Sequence, residues 1–284
     1  MSPAHWFSTV NPGLFPALQR YSKFAVASLV TFVGGGTCAK PPYQSKLVAT
    51  IRANSSDTQV AIFQDDTAKE LIVSFPGTTS MQDALTDVVI YLTPFTTAPG
   101  CTGCKVHLGL LTGWRGVQVN LTNALTGLQA RYPQYSTVIV GHSLGGGLAS
   151  VAYTDLKANG ISVRAAYTMG SLRVGNHQYA AFTDALSGAS DTTIGSFVRL
   201  THASDGVPSL PPVGLGFRHT RTEIFGLDDP ATGLQTAATT FRCYGPGASD
   251  CNGGMAQGVI NKDHLTYAGI SMVNGDTCNS TIGN

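Results

Sequence analysis

Apolar positions along the chain recur first at helical and then at strand spacing. Leu14, Leu18, Tyr21, Ala25, Ser28 and Phe32 fall on one face of a helix, and Lys40-Pro41-Pro42 then breaks the pattern. Leu47 to Ile51, Gln59 to Phe63 and Leu71 to Phe75 read as three short strands, separated by turn-forming Asn54-Ser55-Ser56-Asp57 and Asp65-Asp66-Thr67. Connections this short predict an antiparallel opening. Further on, Trp114 to Arg131 has the pattern of a long helix closed by Tyr132-Pro133, and strands at Val138 to Val140, Val163 to Thr168 and Phe197 to Thr201 alternate with helices at Leu148 to Ala152 and from Asn176 to Leu186. Such alternation predicts an α/β fold: a mainly parallel central sheet with an antiparallel N-terminal portion and helices on both faces. Pro208 to Gly216 and Gly245 to Gly258 are rich in Pro and Gly and read as surface loops, so residues 1–284 are expected to form one domain.

Composition narrows this picture. With 43% hydrophobic and 12% charged residues, the chain can bury a large core. Lys+Arg 17 against Asp+Glu 16, with no cationic cluster, leaves a phosphate-rich partner nothing to bind, so nucleic acid is not expected. Phe24 to Phe32, preceded by Arg20 and Lys23, has the outline of a signal-peptide core ending near Thr37-Cys38-Ala39, but cleavage there would leave five of the six cysteines. It is therefore assigned to a helix of the mature domain, and a secretory leader is expected outside this sequence. No run approaches the roughly 18 apolar residues of a membrane span. Six cysteines, Cys38, Cys101, Cys104, Cys243, Cys251 and Cys278, suit an oxidising compartment, and acceptor sequons at Asn54, Asn120 and Asn279 agree with a secreted, extracellular protein.

The candidate chemistry begins at Gly141-His142-Ser143-Leu144-Gly145. A β-branched strand stops at a glycine, a serine is thrust out between small residues, and a helix follows: the form of a nucleophile elbow. A serine hydroxyl needs a base to take its proton and a carboxylate to hold that base, and in this arrangement the acid and then the histidine follow in the chain. Asp205 sits in the loop after the strand Phe197 to Thr201, where catalytic side chains of an α/β sheet gather. Asp228 and Asp229 precede Pro230 in a turn-rich stretch and read as solvated turn residues. With Asp205 as the acid, His219 and His264 remain as bases. His219 lies near a predicted strand and reads as a structural histidine; His264, opening the apolar run Leu265 to Ile270, is the candidate base. Oxyanion donors are expected from the backbone of Leu144 and from Thr78, in the loop that follows Leu71 to Phe75. The next stretch, Ser80 to Tyr91, places Met81, Leu85, Val88 and Val89 on one face, which suits either a lid offering its apolar side to lipid or ordinary core packing.

Taken together, Phe75-Pro76-Gly77-Thr78, Thr93-Pro94-Phe95, Cys101-Thr102-Gly103-Cys104-Lys105-Val106-His107, Gly113-Trp114, the elbow, Asp205-Gly206-Val207-Pro208 and His264-Leu265-Thr266-Tyr267 resemble the fungal class 3 lipases, an α/β-hydrolase family that includes triacylglycerol lipases and type A feruloyl esterases. The resemblance runs from about Cys38 to Cys278. It implies Ser143 as nucleophile, Asp205 and His264 as its partners, Thr78 with Leu144 as the oxyanion hole, and disulfides Cys38–Cys278, Cys101–Cys104 and Cys243–Cys251. Neither a metal nor a cofactor is implied. Flap spacing is closest to the feruloyl esterases, yet the segment is apolar, and Ile90, with Tyr91 beside it, stands where a phenol-contacting tyrosine would be expected. Apolar lining favours acyl chains, so the expected activity is that of a carboxylic-ester hydrolase, a triacylglycerol lipase, acting on acylglycerols at a lipid–water interface. The alternatives are a feruloyl esterase with the same triad and, more remotely, a silent lipid-binding protein on the same fold.

Overall fold

The computed structural model describes residues 7–10, 13–32, 38–77, 90–243, 245, 251–273 and 275–278. In chain order its elements begin β1 (Phe7–Thr9), α1 (Leu14–Phe32), β2 (Lys46–Ala53), β3 (Thr58–Asp65), β4 (Glu70–Phe75), β5 (Leu92–Pro94) and β6 (Lys105–His107). They continue with α2 (Leu108–Arg131), β7 (Ser136–His142), α3 (Leu144–Ala158), β8 (Ala165–Met169), α4 (His177–Ser187), β9 (Phe197–His202), β10 (Glu223–Asp228) and β11 (Gln235–Cys243). A short helix α5 (Asn252–Met255), the two-residue strands β12 (Thr266–Tyr267) and β13 (Ile270–Ser271) and a 3-10 turn at Gly275–Cys278 complete the described chain.

Nine of these strands form one sheet in the order β1-β11-β10-β9-β8-β7-β4-β3-β2. β2, β3 and β4 are antiparallel neighbours, as their short turns predict, and β4, β7, β8, β9 and β10 then run parallel. At the far edge β11 returns antiparallel to β10 and β1 pairs antiparallel to β11. This second antiparallel edge was outside the sequence expectation, because β1 and β11 are brought together from opposite ends of the chain.

Strand side chains alternate between two apolar faces. Leu71, Val73 and Phe75 of β4 and Ile139 of β7 join the core beneath α2 and α3, with Trp114, Leu121, Val151 and Leu156. Ile72 of β4 with Val138 and Val140 of β7 face the other way, onto Tyr21, Phe24 and Ala27 of α1. Both faces are covered, so the strands read as continuous hydrophobic runs rather than alternating ones. Arg20 of α1 pairs with Asp65 Oδ2 at 2.6 Å and Glu70 Oε2 at 2.9 Å. The basic residue that imitates a signal-peptide flank is thus an ion-pair anchor for a helix packed on the sheet.

Helix α2 starts at Leu108, six residues before the periodicity announces it. Its cap is His107, whose Nδ1 accepts from the Gly109 N–H at 3.1 Å. Histidine is not among the usual capping residues, and Gly109 and Gly113 interrupt the apolar count, so neither signal was visible. Cys38 is bonded to Cys278, Cys101 to Cys104, and Cys243 to Cys251. The first bridge spans 240 residues and, in the chain-entropy model, contributes at most about 5 kcal/mol.

Candidate active site

Ser143 stands at the C-terminal end of β7 and caps α3 with φ 57 and ψ −125, a conformation costly for a residue with a side chain. Its two flanking glycines make that turn possible by close approach. A Cβ on Gly141 would lie 2.2 Å from the Gly145 carbonyl oxygen, and one on Gly145 would lie 2.3 Å from Pro76 O and 2.4 Å from Phe75 O. The N-terminus of α3 is therefore pressed against the end of β4. Leu144 is its first residue, with an N–H that has no acceptor inside the helix. Pro76 and Gly77 open the expected oxyanion loop at this point, and the space for a Cβ on Gly77 is bounded by Ser143 Cβ at 3.7 Å. Thr78 lies outside the described residues, as do Met81, Leu85, Val88 and Val89 of the expected flap. Ile90 and Tyr91 are described and exposed, with the Tyr91 carbonyl accepting from Leu108 N at 2.9 Å.

Asp205 and His264 meet beside this turn. The His264 Nδ1–H donates to Asp205 Oδ2 at 2.9 Å, and both side chains are fully buried. Asp205 Oδ1 accepts from Val207 N at 2.9 Å, and the Tyr267 hydroxyl also donates to Oδ2. Burial, and then the Asp205 charge, push the Tyr267 hydroxyl well above its usual range, so it remains a donor. The end of β8 is the common floor of the group. Met169 O accepts the Ser143 N–H at 2.9 Å, and at the next residue, Gly170 (φ +55), a Cβ would lie 2.4 Å from the Tyr267 hydroxyl and 3.0 Å from both Asp205 Oδ2 and His264 Cε1. Ser143 Oγ and His264 Nε2 are buried, and neither has a hydrogen-bond partner among the described residues.

His219 and His142 are structural in their surroundings. His219 donates from Nε2 to Pro208 O at 2.7 Å, as its structural reading requires. His142 lies over the His264 ring at a centroid distance of 4.6 Å and donates from Nε2 to the His264 carbonyl at 3.0 Å. Asp228 departs from its expected role as a solvated turn residue: it ends β10 and accepts from His202 Nε2 at 3.1 Å, because β10 lies beside β9 in the sheet. Asp229 is a turn residue, accepting from Ala231 N at 2.8 Å. Tyr267, His142, His202 and Asp228 carried no separate sequence signal; only the His264-x-x-Tyr267 spacing pointed toward one of them.

Among the described residues, His202, Asp228 and Asp263 bring potential ligand atoms within 4.8 Å of one another. They are committed to hydrogen bonds: His202 to Asp228 and to the Asp263 carbonyl, and Asp263 Oδ2 to Ser204 N and Oγ. Cys243 and Cys251, which lie near Glu223, are joined in a disulfide and offer no thiolate. Of the sequons, Asn54 in the β2–β3 turn and Asn120 on α2 are exposed, and Asn279 lies outside the described residues.

Burial holds three histidines neutral. His107 is lowered to about 4 by burial alone, while His142 and His219 are pushed well below 6.5 by burial and then by the nearby His264 and by Arg199 and Arg173, respectively. In each case the unfolded chain binds the proton more tightly than the folded one. Stability is therefore complete above the unfolded value and falls as pH drops through it, by up to about 1.4 kcal/mol per pH unit for each histidine. The thermal unfolding midpoint is expected to fall steeply from neutral pH to about pH 5, followed by calorimetry; a constant midpoint over that range would contradict burial of these three imidazoles as neutral rings.

A serine on a strand-to-helix elbow, with an aspartate and a histidine following in chain order on a sheet of this topology, defines an α/β-hydrolase. The family model for class 3 lipases matches residues 72–215. A secreted mono- and diacylglycerol lipase from Fusarium solani is 32% identical over 235 residues, covering 82% of this chain and 67% of that protein. A secreted mono- and diacylglycerol lipase from Penicillium cyclopium is 34% identical over 169 residues, 59% of this chain and 52% of its own length. Among solved structures, the Lip2 lipase of Yarrowia lipolytica superposes with a TM-score of 0.81 at 25% identity, covering 94% of this chain and 97% of that one. A lipase from Rhizopus microsporus var. chinensis gives 0.79 at 26%, covering 96% and 92%. The chain belongs to the class 3 lipase family. Of the curated relatives it matches, it spans from about half to two thirds of the length. None of the described helices is long and apolar enough to cross a membrane.

Proposed function

We propose that this chain is a secreted carboxylic-ester hydrolase that cleaves acylglycerols through an acyl-enzyme on Ser143. The observation that carries the reading is the pair of unpartnered buried atoms, Ser143 Oγ and His264 Nε2, beside an imidazole already oriented by Asp205 at 2.9 Å. His264 takes the hydroxyl proton as Ser143 attacks the ester carbonyl, Asp205 stabilises the resulting imidazolium, and the proton passes to the leaving alcohol. Water then repeats the sequence against the acyl-enzyme and releases the acid. Leu144 N–H, at the head of α3, and the Thr78 backbone are the proposed donors to the oxyanion. Three disulfides, and relatives named as secreted, support an extracellular location.

Acyl chains are favoured by what lies next to the serine. A cavity of about 300 Å³ beside Leu144 has an apolar wall that includes Phe32, Leu110 and Leu148 and a polar wall that includes Ser56, Asp57, Thr58, Gln59 and His107. Each methylene buried against the apolar wall contributes about 0.8 kcal/mol, and relatives named as mono- and diacylglycerol lipases support acyl chains as its occupants. Initial rates on tributyrin and on methyl ferulate test the substrate class. Tributyrin is expected to be hydrolysed faster by about two orders of magnitude, the effect of a few buried methylenes. A preference for the ferulate would replace the lipase reading by that of a feruloyl esterase.

A further inference from the structure

Residues 263 and 264 belong to a four-residue 3-10 turn, Lys262–Leu265, reached through a loop whose one described helix is the four-residue α5. A segment with so little regular structure cannot by itself hold an imidazole to the tolerance that proton transfer requires. Two other histidines supply the missing constraint. His142 donates to the His264 carbonyl, and His202, at the end of β9, places Nδ1 2.7 Å from the carbonyl oxygen of Asp263.

Both ring nitrogens of His202 are held. A carbonyl oxygen only accepts, so Nδ1 carries a proton. Nε2 lies 3.1 Å from Asp228 Oδ1, a carboxylate and again an acceptor. Both nitrogens therefore face acceptors, an arrangement that an imidazolium with Asp228 as its counter-ion satisfies. The groups facing it are Asp228 from β10, Asp263 from the turn and Tyr267 from β12, the last edge-on at 6.0 Å. Asp263 is itself fixed by Ser204, whose N–H and Oγ–H donate to Oδ2 at 3.0 and 2.6 Å. Opposed by burial, those bonds and then the His202 and Lys262 charges hold the Asp263 carboxyl below its usual range.

We propose that His202, charged and anchored by Asp228, is a positioning residue for His264: by gripping the Asp263 carbonyl it fixes the peptide that carries the base between Asp205 and Ser143. The inference rests on His264 being the base of the proposed reaction. It assigns a function to a second histidine–aspartate pair that touches neither substrate nor serine. Asp228 is partly exposed, so the pair also links the base to the protein surface.

Two substitutions separate positioning from packing. In His202→Asn the side-chain amide can replace Nδ1–H as donor to Asp263, while His202→Leu fills a similar volume with no donor. On p-nitrophenyl butyrate, His202→Leu is expected to lower kcat by about 10- to 100-fold with KM changed less than about twofold, and His202→Asn to stay within about threefold of the parent. A ¹H–¹⁵N correlation of the histidine rings, recorded on the Ser143→Ala protein at neutral pH, is expected to show two ring N–H protons on His202 and to lose one in Asp228→Asn. Parental kcat in His202→Leu, equal losses in both variants, or a single ring N–H on His202 would overturn the proposal. Should His202→Leu fail to fold, the Asn variant and the ring spectrum decide it on the same criteria. Retained ester turnover in Ser143→Ala would instead remove the functional reading, while the ring spectrum would still report on the clamp.

Discussion

Replacing Ser143 by alanine is expected to lower ester turnover by about 10⁵-fold or more, to a residue supplied by binding and oxyanion donors alone. Alanine removes only Oγ. That atom has no hydrogen-bond partner among the described residues, so its loss breaks no bond of the folded chain. The strained φ of 57 is imposed by the elbow and is as accessible to alanine as to serine. The unfolding midpoint should therefore be unchanged, and the defect purely chemical. Covalent labelling with a fluorophosphonate checks it from the other side: the parent is expected to take one label and Ser143→Ala none. Turnover within tenfold of the parent, or labelling that persists, would move the nucleophile elsewhere.

Asp205→Asn is expected to reduce kcat by about 10³- to 10⁴-fold with little change in KM for a short soluble ester. All three groups around this carboxylate are donors: Val207 N–H on Oδ1, and His264 Nδ1–H with the Tyr267 hydroxyl on Oδ2. An asparagine cannot satisfy them. With its NH₂ toward Val207, two donors face each other in a buried site, an arrangement that costs about 1–3 kcal/mol for the unmade bond. With its NH₂ toward His264, it forces the proton onto Nε2, and the imidazole can no longer accept from Ser143. The first orientation removes the charge that stabilises the imidazolium and the second disables the base, and both leave the cavity beside Leu144 intact, which is why kcat rather than KM carries the loss. Steady-state kinetics on p-nitrophenyl butyrate read this directly. Activity within tenfold of the parent would require another acid, and Asp228, already bonded to His202 near the base, would be the next to test.

Much of the architecture was legible because a buried sheet and its helices write themselves in residue periodicity. The apolar stripe of α1 and the strands β2, β3, β4, β7, β8 and β9 each lie within three residues of the expected ends. Where the reading fell short, local signals were absent. The start of α2 hides behind a histidine cap, and the edge strands β1 and β11 are stabilised by each other across most of the chain length. The proposed acid–base pair was chosen by chain order, since the elbow fixes where its partners must follow, and the structure places Asp205 just after β9 in a hydrogen bond with His264.

The sequence by itself determined the sheet's parallel centre, the elbow at Ser143 and the choice of Asp205 and His264, because each depends on residue types at short or ordered separations. Tertiary structure alone decided what surrounds them. Asp228 reads in the sequence as a solvated turn residue, and only β10 lying beside β9 brings it to His202, while His142 and His202 carry no local pattern that distinguishes an ordinary core side chain from one bonded to the turn that carries His264. Their partners lie 26 to 122 residues away, and the bonds they make exist only once the strand ends converge. Periodicity reports which face of an element is buried; it carries no record of which distant carbonyl or carboxylate a buried ring will meet there.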